Sequence, residues 1–137
     1  MNNLNIVNIQ DVQKIFDEGL FNYNTCKQTG MIEIDIMLGD NNYSGTLYVI
    51  NNKLDRIELE PVLSAIKQPT YPSKEYIIAK YTYNIEVVTT LFGDVAKHNK
   101  NTDIWEVDNF LIICSGVFNR TWDNLDGGTI IIRHKYA

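Results

Sequence analysis

The stretch MIEIDIMLGDNNYSGTLYVINNKLDRIELE, Met31–Glu60, decides the fold. In Ile32-Glu33-Ile34-Asp35-Ile36 isoleucines alternate with carboxylates, so a strand built from it has one apolar and one acidic face. The alternation holds over Met31–Leu38. Gly39-Asp40-Asn41-Asn42 is dense in turn residues, Thr46–Ile50 is β-branched and aromatic, and Asn51-Asn52-Lys53 predicts a second tight turn. Leu54–Leu59 then completes a three-stranded meander. Leu54 is out of phase with Ile57 and Leu59, which predicts a bulge or a turn edge near Asp55. Pro61 ends the pairing or marks a sheet edge.

Helical signals flank the meander. Asn8 is a good N-cap, Val12, Ile15 and Phe16 follow at helical spacing, and Gly19 is a natural stop, which predicts a short helix over Ile9–Glu18. Phe21–Gly30 is polar and reads as a loop or an edge strand. Gln68-Pro69-Thr70-Tyr71-Pro72 is a rigid connection, and Ser73 is an N-cap candidate. Ile78, Tyr81, Ile85, Val88 and Phe92 recur at steps of three and four, predicting an amphipathic helix over Lys74–Phe92 that is closed by Gly93 in a left-handed conformation. The remainder predicts a strand at Asp103–Val107, a turn at Asp108-Asn109 and a buried strand at Phe110–Ser115. A polar loop over Arg120–Asp126, a turn at Asp126-Gly127-Gly128 and a strand at Thr129–Arg133 complete it. The expected fold is α+β: a mainly antiparallel sheet of about six strands, one short N-terminal helix and one long central helix, in the order α-β-β-β-α-β-β-β. The α-β-β-β grouping recurs without a residue-level repeat.

A length of 137 residues fits a single domain, 1–137, large enough to bury a core without disulfide or metal. With 45% hydrophobic and 21% charged residues the composition is that of an ordinary globular chain. Met31–Glu60 holds six acids (Glu33, Asp35, Asp40, Asp55, Glu58, Glu60) against Lys53 and Arg56, a balance of −4 within −5 for the whole chain. With no basic patch, nucleic acid is an unsuitable partner. A basic protein suits the charge, and plain solubility is the rival explanation of the acidity. The N-terminus has neither a basic n-region nor an apolar h-region, and the longest purely apolar run, Phe110–Cys114, is too short to span a bilayer. The expectation is a cytoplasmic protein with no membrane partner.

No chemistry-bearing motif competes with the acidic face. His98 and His134, the only histidines, lack metal-ligand spacing. Ser115-Gly116 lacks the nucleophile frame. Cys114 and His134 could be drawn on neighbouring strands, but the apolar surroundings of Cys114 make an inert thiol; Cys26 lies in a polar stretch. Glu33 and Asp35 would stand about 7 Å apart by the strand rise, yet an acid pair also needs a cleft and unequal environments. Gly127-Gly128 precedes a strand and has no phosphate-binding lysine. No catalytic residue, metal ligand or cofactor is therefore assigned. Trp105 reads as core. Trp122, beside Arg120 and Asp123, reads equally as an interface anchor or as a cap folded onto the sheet.

Several features appear together: Leu91-Phe92-Gly93-Asp94 at a helix end, Trp105 in a strand, a Gly-rich turn before an Ile-rich strand, and Val49-Ile50-Asn51-Asn52-Lys53-Leu54-Asp55-Arg56-Ile57. Over Leu47 to Tyr136 this pattern resembles small bacterial α+β proteins, among them immunity proteins of contact-dependent and polymorphic toxin systems. A tyrosine often found before the glycine is Phe92 here. The resemblance implies a protein that binds one toxin domain and blocks its active site, often through acidic surfaces against basic nucleases. The expected function is a non-enzymatic inhibitor of a basic protein. Glu33, Asp35, Asp55, Glu58 and Glu60 would contact the partner, with Tyr48 and Trp122 as anchors. The alternatives are a phage anti-defence protein acting as a nucleic-acid mimic or signal sponge, and a small-molecule-binding module with its pocket between the long helix and the sheet.

Overall fold

The computed structural model describes residues 4–18, 30–62, 74–121 and 124–136. Along the chain these form β1 (Leu4–Ile6), α1 (Ile9–Glu18), β2 (Gly30–Leu38), β3 (Asn41–Ile50), β4 (Lys53–Pro61), α2 (Lys74–Phe92), β5 (Lys97–Asn99), β6 (Thr102–Val107), β7 (Phe110–Ser115), β8 (Phe118–Thr121), β9 (Asn124–Asp126) and β10 (Ile130–His134). Eight strands make one sheet in the order β1-β2-β3-β4-β10-β7-β6-β5, and β8 and β9 pair separately. The class is α+β, as the sequence predicts.

The strand count and order need correcting. A strand, not a helix, comes first, and β1 runs parallel to β2, so the sheet is mixed. β1 has only Leu4 and Ile6 around Asn5, too short for an alternation signal. β5 is Lys97-His98-Asn99, polar and exposed, and exists through its pairing with β6. β8 and β9 fall within and beside the stretch that reads as a polar loop.

The meander matches its sequence closely. β2 and β3 pair from Gly30↔Val49 to Leu38↔Asn41. Between β3 and β4 the register shifts: Tyr48 faces Arg56 and Val49 faces Leu54, so Asp55 is the bulged residue. Asn51 and Asn52 turn the corner at φ 51° and 65°, a left-handed pair that asparagine tolerates.

α1 starts on a reciprocal cap. Asn8 Oδ1 accepts the Asp11 amide at 3.1 Å, and Asp11 Oδ2 accepts the amides of Val7 at 2.9 Å and Asn8 at 3.3 Å. The Gly19 stop and the Ser73 cap lie outside the described residues. α2 has the expected bounds, and Gly93 follows at φ 89° with its amide on the Thr89 carbonyl at 2.9 Å. Its buried stripe differs from the expected one: Tyr76, Ile77, Lys80, Asn84, Val87 and Val88 are buried, while Ile78 is exposed. Two polar residues belong to that stripe, and a reading of apolar periodicity passes over them.

Both helices cover the same sheet face. Phe16 of α1 packs its ring 5.1 Å from Phe110 and 4.9 Å from His134, and Asn84 of α2 accepts the Tyr43 hydroxyl at 2.8 Å. Ile36, Leu47, Ile57, Trp105, Phe110, Ile112, Cys114, Ile130 and Ile132 are fully buried beneath them. Among the described residues no helix is long and apolar enough to cross a membrane.

Candidate interaction face

The face of the sheet turned away from both helices carries the acidic positions, and the ladder registers place them in rows. One row runs Glu33, Thr46, Glu58, Ile131, Ile113, Ile104. Beside it on one side lie Asp35, Ser44 and Glu60, and on the other Met31, Tyr48, Arg56, Arg133, Leu111 and Glu106. Ile104, Ile113, Ile131 and Leu111 are half-buried. Sequence reading missed these four as surface residues. The signal was present: Phe110–Cys114 and Ile130–Ile132 are apolar at consecutive positions, the mark of strands covered on both faces, and the helices cover only one.

The carboxylates are not equivalent. Arg56 gathers two of them, with Nη1 3.0 Å from Asp55 Oδ2 and Nε 2.9 Å from Glu58 Oε2. Its guanidinium lies 3.8 Å from the centre of the Tyr48 ring, so the expected anchor serves as the platform for this arginine. Glu60 is held by Lys80 of α2, Nζ to Oε1 at 2.6 Å. β10 begins opposite Leu59, so among the described residues Glu60 has no ladder partner on that side. Lys80 lies against Gly128, where any Cβ would meet Lys80 Cε at 2.8 Å. Glu33 and Asp35 are exposed and have no cationic partner among the described residues. Trp122 lies outside the described residues.

A concavity of about 420 Å³ lies between α2 and the β2–β3 turn. Asp40 and Glu86 flank it, with Val87, Thr90 and Leu91 among its lining residues. The Tyr83 hydroxyl donates to Asn41 Oδ1 at 2.9 Å, and Thr90 Oγ1 donates to the Glu86 carbonyl at 2.8 Å. Burial, followed by the Glu86 charge, raises the pKa of Tyr83.

On the helix side, buried Asp103 pairs with Nδ1 of exposed His98 and faces Cys114 across the ladder. Burial, then Asp103, pushes the Cys114 thiol up, which makes it a poor nucleophile. Cys114 pairs with Ile130, whereas His134 pairs with Phe110 and stacks on its ring at 4.8 Å. The two residues are thus separated along the ladder. Among the described residues no three His, Cys, Asp or Glu side chains could hold a metal ion.

Comparison with protein-family models, curated proteins and solved structures finds no match to this chain.

Proposed function

We propose that the protein is a non-enzymatic inhibitor that binds a basic protein partner through the sheet face turned away from α1 and α2, as an immunity protein does when it blocks a toxin such as a nuclease. The observation that carries this reading is the row from Glu33 through Glu58 to Ile131, Ile113 and Ile104. Its half-buried isoleucines offer apolar area to a partner, and its acidic end sets the sign of the charge that partner should bear. Aliphatic patches on an otherwise polar face mark interaction sites when they are contiguous. The exposed carboxylates Glu33 and Asp35 would speed the encounter, and the isoleucines would hold the complex. An inhibitor of this kind would act in the cytoplasm of the cell that carries it.

A basic toxin domain encoded next to this chain provides the test. Co-expression with the wild-type chain should relieve its toxicity, and Ile113→Lys or Glu33→Lys with Asp35→Lys should lose both relief and co-purification. Full relief by both variants, each folded by circular dichroism, would remove this face from the proposal.

A small-molecule-binding module is the second reading, favoured by the groove beside Asp40 and Glu86. Ligand retained through purification and seen by native mass spectrometry would support it. Nucleic-acid mimicry is less well supported, because Asp55, Glu58 and Glu60 each already carry a cation of this chain.

A further inference from the structure

Among the described residues, β2 has a strand beside it along only part of its outer edge. β1 pairs with Ile36, Met37 and Leu38, and among the described residues nothing pairs with 30–35 on that side. The inward side chains register the difference. Ile36 and Leu38, alongside β1, are each 1% exposed, whereas Ile32 and Ile34 of the same strand face remain only half-buried. Among the described residues the edge thus leaves unpaired the outward amides and carbonyls of alternate residues along a six-residue run, roughly 20 Å at the usual strand rise. Its side chains alternate between partly covered isoleucines and carboxylates with no cationic partner among the described residues.

We propose that this edge accepts an extended basic segment of the partner protein as an added strand, in line with β1. The chemistry fixes the pattern of that segment. Positions on the helix side, next to Ile32 and Ile34, should be aliphatic and complete the core margin. Those on the open face, next to Glu33 and Asp35, should be lysine or arginine. The segment therefore alternates basic and aliphatic residues. A second copy of this chain is a poor occupant, because antiparallel pairing of two β2 edges sets Glu33 and Asp35 against their own counterparts. Main-chain hydrogen bonds supply affinity in strand addition, and alternate side chains supply specificity. The inference rests on the reading of this protein as a partner-binding inhibitor and names how part of the partner is held.

The probe is the peptide acetyl-Lys-Val-Lys-Val-Lys-Val-amide, titrated into the full chain while amide hydrogen exchange is followed residue by residue. At saturation, exchange within 30–35 should slow by about tenfold. The effect should vanish with Glu33→Lys plus Asp35→Lys, with the Glu-Val analogue, and with a peptide N-methylated at every residue. Protection by the N-methylated peptide, or binding without slowed exchange in 30–35, would overturn strand addition. Ile113→Lys separates the two readings. It should leave peptide binding at β2 intact, so loss of toxin neutralisation in that variant concerns the sheet face alone, and failure of the peptide concerns the edge alone.

Discussion

Lys80 Nζ sits 2.6 Å from Glu60 Oε1 and joins a lysine that is 3% exposed to a glutamate that is 49% exposed. The ammonium also lies 4.7 Å from the centre of the Tyr76 ring. The pair crosses from the helix side of the sheet to its open face, so one of the carboxylates expected to meet a partner is tied to the core.

The two halves of that pair should respond differently to removal. Glu60→Ala strands a buried ammonium and should destabilise by about 1–3 kcal/mol, less than for a fully enclosed pair because water reaches the glutamate side. Lys80→Met keeps the aliphatic volume and returns Glu60 to solvent, so it should cost under about 1 kcal/mol. Urea denaturation of both variants measures the order. A larger loss in Lys80→Met would show that the ammonium, not its burial, dominates.

Asn84 is the second polar residue in the buried stripe of α2. It accepts the Tyr43 hydroxyl at 2.8 Å and donates Nδ2–H to the Gly128 carbonyl at 3.0 Å. Asn84→Leu leaves both groups buried without partners and should cost about 2–4 kcal/mol, against about 1 kcal/mol for Tyr43→Phe. The double variant should cost less than the two together, since the lost hydrogen bond is shared. A double-mutant cycle in urea reads this coupling directly.

Stability should fall on the alkaline side. Burial raises the Cys114 thiol and the Tyr43 hydroxyl, and burial followed by Asp103 pushes Tyr81 up to about 12. Unfolded, these groups ionise near 9.0 for the thiol and 10.0 for the tyrosines. Above those values the unfolded chain has released protons that the folded chain keeps, so each rise in pH favours unfolding. The contribution is complete below the unfolded pKa values and is lost as pH rises toward the folded ones. The urea midpoint should stay level near neutrality and decline from about pH 9 upward. Cys114→Ala should flatten the first part of that decline, and Tyr81→Phe the part approaching pH 12.

The fold was legible wherever local signals and tertiary packing agree. Ile32-Glu33-Ile34-Asp35-Ile36 alternates because one sheet face is covered, Asn51-Asn52 marks a left-handed turn, and the phase slip at Leu54 marks the Asp55 bulge. Elements made by pairing alone stayed hidden: β1 is too short to show a period, and β5 has no apolar residue. The site was legible by face and sign but not by availability. Which carboxylates remain unpaired depends on Arg56 and Lys80, and Lys80 is 20 residues from Glu60 along the chain. The apolar centre of the face was hidden in part because Phe110–Ser115, which contributes Leu111 and Ile113, reads as a buried strand.

This division among the carboxylates predicts a ranking in any complex with a basic partner. Glu33 and Asp35 are exposed and have no cationic partner among the described residues, so Glu33→Gln plus Asp35→Gln should slow association by roughly three- to tenfold at low salt. Asp55→Asn should change association little, because its charge is already spent on Arg56 at 3.0 Å. Glu58→Gln should act mainly through geometry: it loosens the guanidinium that lies over Tyr48, and its effect should appear in dissociation. Stopped-flow association across a salt series separates these outcomes, since long-range steering fades as the Debye length shrinks and contact geometry does not. Equal slowing by all the variants would mean that only the net charge of the molecule guides its partner.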